Sequence, residues 1–148
     1  MCYNHDFISE IMMKTREEKN AYQRERRKLT ANQSTVKYEK TKNGFLMRLY
    51  RNMQSRVNGI QKTKYHLYAG KYLLPRDEFY EWAKPNTEFN RLFDEWEKSG
   101  YERRLTPSVD RINSKLGYET SNMEWVPFHE NCRRGLISKL KMLAERLT

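Results

Sequence analysis

Cysteine is nearly absent. Cys2 and Cys132 are the only two, and no C-x-x-C pair occurs. This excludes a zinc ribbon and a disulfide framework, and it fits a reducing, cytoplasmic setting. Long apolar runs are also missing, and nothing approaches the roughly 20 residues of a membrane span. The opening MCYNHDFISEIMMKTREEKN has no basic stretch followed by an apolar one, so no secretory signal is expected. Apolar residues make up only 37% of the 148, so the core must be small. Aromatics at 13% are nevertheless too frequent for a disordered polybasic tail. The most informative absence is local: no carboxylate occurs between Glu39 and Asp77.

The net charge is +10, and it is unevenly placed. Residues 41–75 carry seven basic side chains and no acid, whereas 76–104 carry a net charge of −2. A solvated face without a partner usually mixes signs. A stretch free of acid is what a polyanion surface requires, because each carboxylate near a phosphate repels it. Lys42, Arg48, Arg51, Arg56, Lys62, Lys64 and Lys71 are therefore the expected nucleic-acid contacts. Tyr50, Tyr65, Tyr68 and Tyr72 interleave with them and suit either base stacking or a core. No basic amphipathic helix with large exposed apolar residues stands out, which disfavours a membrane surface.

Hydrophobic spacing predicts the elements. Residues 13–29 read as a charged helix without a wide apolar stripe, either an exposed arm or a helix that needs a partner to order it, and 30–44 as a polar linker. Leu46, Leu49, Tyr50, Met53 and Val57 share a face of a helix over 45–57. Residues 64–74 suggest a short hairpin around Ala69-Gly70. Pro75 suits the start of a helix to Lys84, and Asn86 can cap another to Lys98. Phe79, Trp82, Phe89, Phe93 and Trp96 are expected as core, since they sit in the acidic part of the chain. Short strands follow over 105–112 and 123–128, then a helix over 130–147 with Leu136, Leu140, Leu143 and Leu147 along one stripe. The expected class is α+β. A charged arm and linker (1–44) and a helical DNA-binding region (45–104) precede a strand–loop–strand–helix motif (105–148).

That last motif carries chemistry. A strand pair followed by a helix brings the end of the first strand against the first helical turn. Asp110 and Asn131 would then offer two oxygens to one hard cation such as Mg²⁺ (or Mn²⁺), with water completing the shell. Asn131, Gly135 and Ser138 fall on one helix face, where small residues leave room for a DNA backbone. Asn122 is expected to pin the loop through its side-chain amide. Cys132, without a partner, reads as a small buried residue.

Ser108-Val109-Asp110-Arg111-Ile112, Gly117-Tyr118, Ser121-Asn122-Met123-Glu124-Trp125-Val126 and Asn131 together resemble the HNH nuclease family, in particular its free-standing phage endonucleases. The resemblance covers about a quarter of the chain through its motifs, with a looser likeness over 45–104. It implies a ββα-metal fold, a metal-dependent DNA endonuclease of the homing or nicking kind acting on double-stranded DNA, and products with a 5′-phosphate and a 3′-hydroxyl. It also implies site roles for Asp110, Asn122 and Asn131, with Asp110 and Asn131 as metal ligands; Arg111 and His129, beside them in sequence, are the further candidate catalytic residues. A phage origin would place the protein in the host bacterial cytoplasm. Relatives that bind zinc place a further His at the position of Gly135, so a closed zinc site is not expected.

One departure matters. The family usually has a general-base His where this chain has Arg111, and guanidinium does not accept a proton at neutral pH. Arg111 is expected instead to clamp a phosphate oxygen. Either another group is the base, or a metal-bound hydroxide attacks, or the site is inactive. His129 reaches the site only if it lies in the turn before the helix. His66 sits in the basic stretch and His5 near the N-terminus. Arg133 and Arg134, in the first turns of the helix, are expected to meet DNA. The alternatives are an inactive HNH-fold DNA-binding regulator or packaging accessory, and an RNA-binding protein. A single motif makes one site, so cutting both strands requires a dimer or two nicks.

Overall fold

The computed structural model describes residues 15–148. Cys2, His5 and the expected helix start at Met13 lie outside the described residues. The chain divides into two units, Met1–Tyr38 and Glu39–Thr148. In the first, α1 (Arg16–Leu29) opens with a capping box: the Thr15 hydroxyl accepts from the Glu18 N–H, and the Glu18 carboxylate accepts from the Thr15 N–H. It buries no residue, in keeping with its lack of an apolar stripe. The stretch read as a linker is more ordered than its composition suggested. Ala31 and Asn32 turn the chain with positive φ (47° and 55°), and α2 (Gln33–Glu39) follows.

In the second unit, α3 (Lys42–Val57) is capped by Thr41, whose hydroxyl accepts from the Gly44 N–H at 3.1 Å. It buries Phe45, Leu46, Tyr50 and Met53. Residues 64–74 do not form the expected hairpin. A 3₁₀ turn (Lys62–Lys64) leads into α4 (Tyr65–Tyr68), and Gly70 (φ 73°) releases the chain into an extended strap. Leu73 pairs with Tyr118, 45 residues away by number, through a parallel bridge. The Tyr118 N–H donates to the Tyr72 carbonyl (2.7 Å) and the Leu74 N–H to the Tyr118 carbonyl (2.9 Å). The alternation in 71–74 thus reflects pairing with a distant partner, not with its neighbour.

Helix α5 (Arg76–Ala83) starts after Pro75, and α6 (Thr87–Lys98) is capped by Asn86, which accepts from the N–H groups of Glu88 and Phe89. Phe79, Phe89, Phe93 and Trp96 are buried, and Trp82 packs partly buried against them. Strand β1 (Pro107–Arg111) pairs antiparallel with β2 (Met123–Pro127), Asp110 opposite Glu124. Helix α7 (Phe128–Leu147) completes a C-terminal ββα arrangement, so the class is α+β. Trp125 of β2 lies 4.6 Å from Phe89 and stacks on Trp82 at 5.4 Å, centroid to centroid. The helical segment and the ββα motif therefore share one core. No helix of the described residues is long and apolar enough to cross a membrane.

Candidate functional site at the strand–helix hinge

Strand alternation decides which side chains meet. Val109 and Arg111 point into the core, while Ser108 and Asp110 face α7. On α7, Asn131 and Arg134 are three residues apart and share the face that looks back. The Asn131 amide donates to the Ser108 hydroxyl at 2.8 Å, and the Arg134 guanidinium donates to the Asp110 carboxylate at 3.2 Å. Asp110 and Asn131 thus stand on the same side of the hinge, each held by a neighbour of the other. Asn131 Oδ1 and Asp110 Oδ1 accept no hydrogen bond from the described residues.

Arg134 is the hub of a ring that sequence reading missed. Besides Asp110, it binds Glu124 on β2 and, at 3.0 Å, Glu130 one turn earlier. Antiparallel register puts the Asp110 and Glu124 carboxylates directly opposite each other, an arrangement that repels unless a cation intervenes. Arg134 is that cation, and the signal for it was the pairing of the two strands. Arg133 pairs with Glu130 at 2.7 Å. Between them, Arg133 and Arg134 hold the Glu130 carboxyl down at about 2 by donating hydrogen bonds to it, and the same bonds raise Arg134 further above its ordinary value. A cleft of about 600 Å³ runs beside this ring, lined by Trp82, Asn86, Trp125, Glu124, Glu130 and Arg134.

Asn122 is buried and makes the loop. Its carbonyl oxygen accepts from the Asn113 N–H (2.8 Å), and its amide donates to the carbonyls of Asn113 (3.1 Å) and Gly117 (2.9 Å). Gly117 admits no side chain, because a Cβ there would stand 2.2 Å from the Tyr72 carbonyl oxygen. Gly135, in contrast, faces open space on α7.

Three expectations need correction. Arg111 does not join Asp110 as a phosphate clamp at the hinge. Being the next residue on a strand, it faces the other way, is 9% exposed, and donates to the Leu116 carbonyl at 3.0 Å. His129 lies inside α7 rather than before it, and its Nδ1 is 2.9 Å from the Arg104 carbonyl oxygen, so it is turned from Asn131. Cys132 is exposed, not buried, since the inner face of the helix is taken by Asn131 and Arg134.

The expected DNA contacts divide into two groups. Lys42 binds Asn90 (2.7 Å) and Asp94 (3.4 Å), Arg48 binds Glu39 (3.1 Å), Arg56 the Tyr118 hydroxyl (3.3 Å) and Lys71 the Ser114 carbonyl (2.6 Å). Arg51, Lys62 and Lys64 are exposed and pair with none of the described residues. Of the tyrosines, Tyr50 is core and donates its hydroxyl to the Leu74 carbonyl. Tyr65 and Tyr72 are exposed, and Tyr68 stacks on Tyr118.

The hinge fits a hard divalent cation in kind. The atoms left for it, on Asp110 and Asn131, are oxygens, whereas Arg134 already neutralises the carboxylates that converge there and would have to release Asp110. Among the described residues no group of three or more His, Cys, Asp or Glu is arranged to hold a metal. The protein share would be Asp110 and Asn131 alone, as in a water-rich Mg²⁺ site and unlike a closed zinc site. Comparison of the chain with protein-family models, curated proteins and solved structures returns no match.

Proposed function

We propose that this chain is a metal-dependent DNA endonuclease of the HNH type. The observation that carries the reading is the shared face of Asp110 and Asn131 at a ββα hinge, beside the open position of Gly135. Asp110 and Asn131 would hold Mg²⁺ or Mn²⁺, which when bound supplies charge neutralisation at a phosphodiester and at its leaving oxygen. The chain's own residues do the rest. Ser108 holds the Asn131 amide by accepting its N–H, which leaves the carbonyl oxygen as the atom for the ion. Arg134 keeps the opposed carboxylates from repelling one another and, with DNA present, exchanges Asp110 for a phosphate oxygen. Asn122 holds the loop that carries the end of β1 in place. Arg51, Lys62 and Lys64 supply unpaired charge for the flanking duplex. Among the described residues, His129 is hydrogen-bonded to the Arg104 carbonyl oxygen rather than to a side chain of the hinge.

Two observations favour a second reading, a DNA-binding regulator or packaging accessory that does not cut. Asp110 is already paired with Arg134, and Arg111 replaces the usual base. A plasmid-nicking assay with Mg²⁺ or Mn²⁺ separates the two. Wild type is expected to relax supercoiled plasmid, and Asp110→Ala and Asn131→Ala to lose at least a hundredfold in rate, about the share that positioned electrostatic groups contribute. Intact plasmid with wild type across pooled sequence contexts, together with salt-sensitive DNA binding, would select the second reading.

A further inference from the structure

The core-facing side of β1 holds a cluster that the hinge does not use. The Arg111 guanidinium lies 4.1 Å from the Tyr68 ring centroid and 5.5 Å from that of Tyr118. Arg56, at the end of α3, lies 5.3 Å from Tyr68 and donates to the Tyr118 hydroxyl at 3.3 Å. Tyr68 and Tyr118 are parallel, with their rings 8° apart in tilt and 6.1 Å between centroids. Lys71, from the strap, donates to the Ser114 carbonyl at 2.6 Å on the loop that Arg111 also binds. Burial first, and then Arg111, hold the Lys71 ammonium below its ordinary value. Two guanidiniums thus share one tyrosine pair, and the Lys71 ammonium, bound to the same loop as Arg111, lies within reach of its charge.

None of the three forms an ion pair with the described residues. Arg56 Nε is buried and donates to nothing. A buried N–H without an acceptor is costly, and Arg56 Nε shares that state with the indole N–H groups of Trp96 and Trp125, so the weight of the argument falls on the unpaired charges. Ring faces compensate part of the charge, but they leave in-plane guanidinium donors free. Planar forks of that kind match a tetrahedral oxyanion two oxygens at a time.

We propose that Arg56, Lys71 and Arg111 form a seat for a phosphate group, on the side of β1 opposite Asp110. The seat deepens the nucleic-acid reading above and rests on it for the source of the phosphate, a backbone phosphodiester away from the cut. Lys71 and the loop over 113–117 form its rim, and Arg56 and Arg111 its floor. A phosphate there relieves the mutual repulsion of the three cations. It also explains why acid is missing from residues 41–75: a carboxylate near the rim would occupy the seat.

The test uses the full chain, with Lys71→Gln, Arg56→Gln and, as a charge-matched control in the acidic region, Lys98→Gln. Duplex affinity is measured against salt. Thermal unfolding is measured in inorganic phosphate and in pyrophosphate, each against chloride at equal ionic strength. We expect Lys71→Gln and Arg56→Gln to lose about tenfold in duplex affinity and about one unit of salt slope, with Lys98→Gln unchanged in slope. We expect phosphate to raise the wild-type midpoint and to lose that effect in both seat variants. Lys71 lies at the rim, so its variant keeps the test valid should Arg56→Gln fail to fold. Stabilisation by phosphate without any duplex affinity keeps the seat, assigns it a free phosphate ligand, and removes the nucleic-acid reading. Duplex binding with seat variants indistinguishable from Lys98→Gln, and no phosphate effect, overturns the seat and leaves that reading standing. Neither duplex binding nor a phosphate effect overturns both.

Discussion

On one side of β1, Asp110 and Glu124 meet Arg134, and Glu130 completes a ring in which every charge has a partner. On the other side, Arg111 and Arg56 lie against Tyr68 and Tyr118, Lys71 binds the same loop as Arg111, and none of the three pairs with an acid among the described residues. The two sides are one residue apart in sequence. A strand turns successive side chains to opposite faces, so the dipeptide Asp110-Arg111 serves two electrostatic environments rather than one. The difference teaches that a motif read along the chain as a single site is, in space, a compensated hinge and an uncompensated cation cluster, back to back.

The comparison breaks most severely at Gly117. A side chain there meets the backbone of the strap, which cannot give way without undoing the Leu73–Tyr118 bridge. Gly117→Ala is expected to cost about 3 kcal/mol or more in denaturant unfolding, by overpacking against main chain. Both sides should be lost together, since the loop over 113–117 links them. Asn122→Ala removes three hydrogen bonds from a residue only 4% exposed and leaves the Asn113 N–H without its acceptor. The expected loss is about 2–3 kcal/mol in the same assay. Near-wild-type stability would mean that the loop does not depend on this amide.

Arg134→Gln sharpens the comparison by removing compensation from the hinge alone. The cost is about 1 kcal/mol, because the pairs are partly exposed and screened by solvent. Asp110 and Glu124 then face each other without a cation, while Arg133 keeps Glu130, so added Mg²⁺ should raise the melting midpoint of the variant more than that of wild type. An equal response in both proteins would contradict the placement of a cation seat at the hinge. The smallest effect is titration of Glu130. Its carboxyl is held near 2, below the ordinary 4.5, by hydrogen bonds from Arg133 and Arg134. A depressed acid stabilises the fold above its unfolded value and loses that contribution as pH falls through about 2. Side-chain carboxyl NMR should therefore show Glu130 ionised across the range where free glutamate protonates. A midpoint near 4.5 would show the ring open in solution.

Much of this was legible before any coordinates. Apolar spacing at Leu46, Tyr50 and Met53 marked α3, and the clustered aromatics from Phe79 to Trp96 marked the core. The capping residue Asn86 and the turn residues after Ile112 marked boundaries with a known physical cause. Other features depend on who the partner is. Tyr72 to Leu74 pair with Gly117-Tyr118, and no local pattern announces a partner so distant. The ring on Arg134 needed the strand register, because Glu124 becomes relevant only when it stands opposite Asp110. The position of Arg111 was readable, in contrast: once β1 is a strand, it and Asp110 point apart. Cys132 was misplaced because α7 gives its inner face to polar residues and buries none of its side chains.

The central claim is that Asp110 and Asn131 share one divalent cation. A crystal of the full chain soaked in Mn²⁺ tests it directly through the anomalous signal. The account predicts a peak between Asp110 Oδ and Asn131 Oδ1, with Arg134 displaced from Asp110. Saturating Mn²⁺ with no peak there, and Arg134 still bound to Asp110, would contradict it.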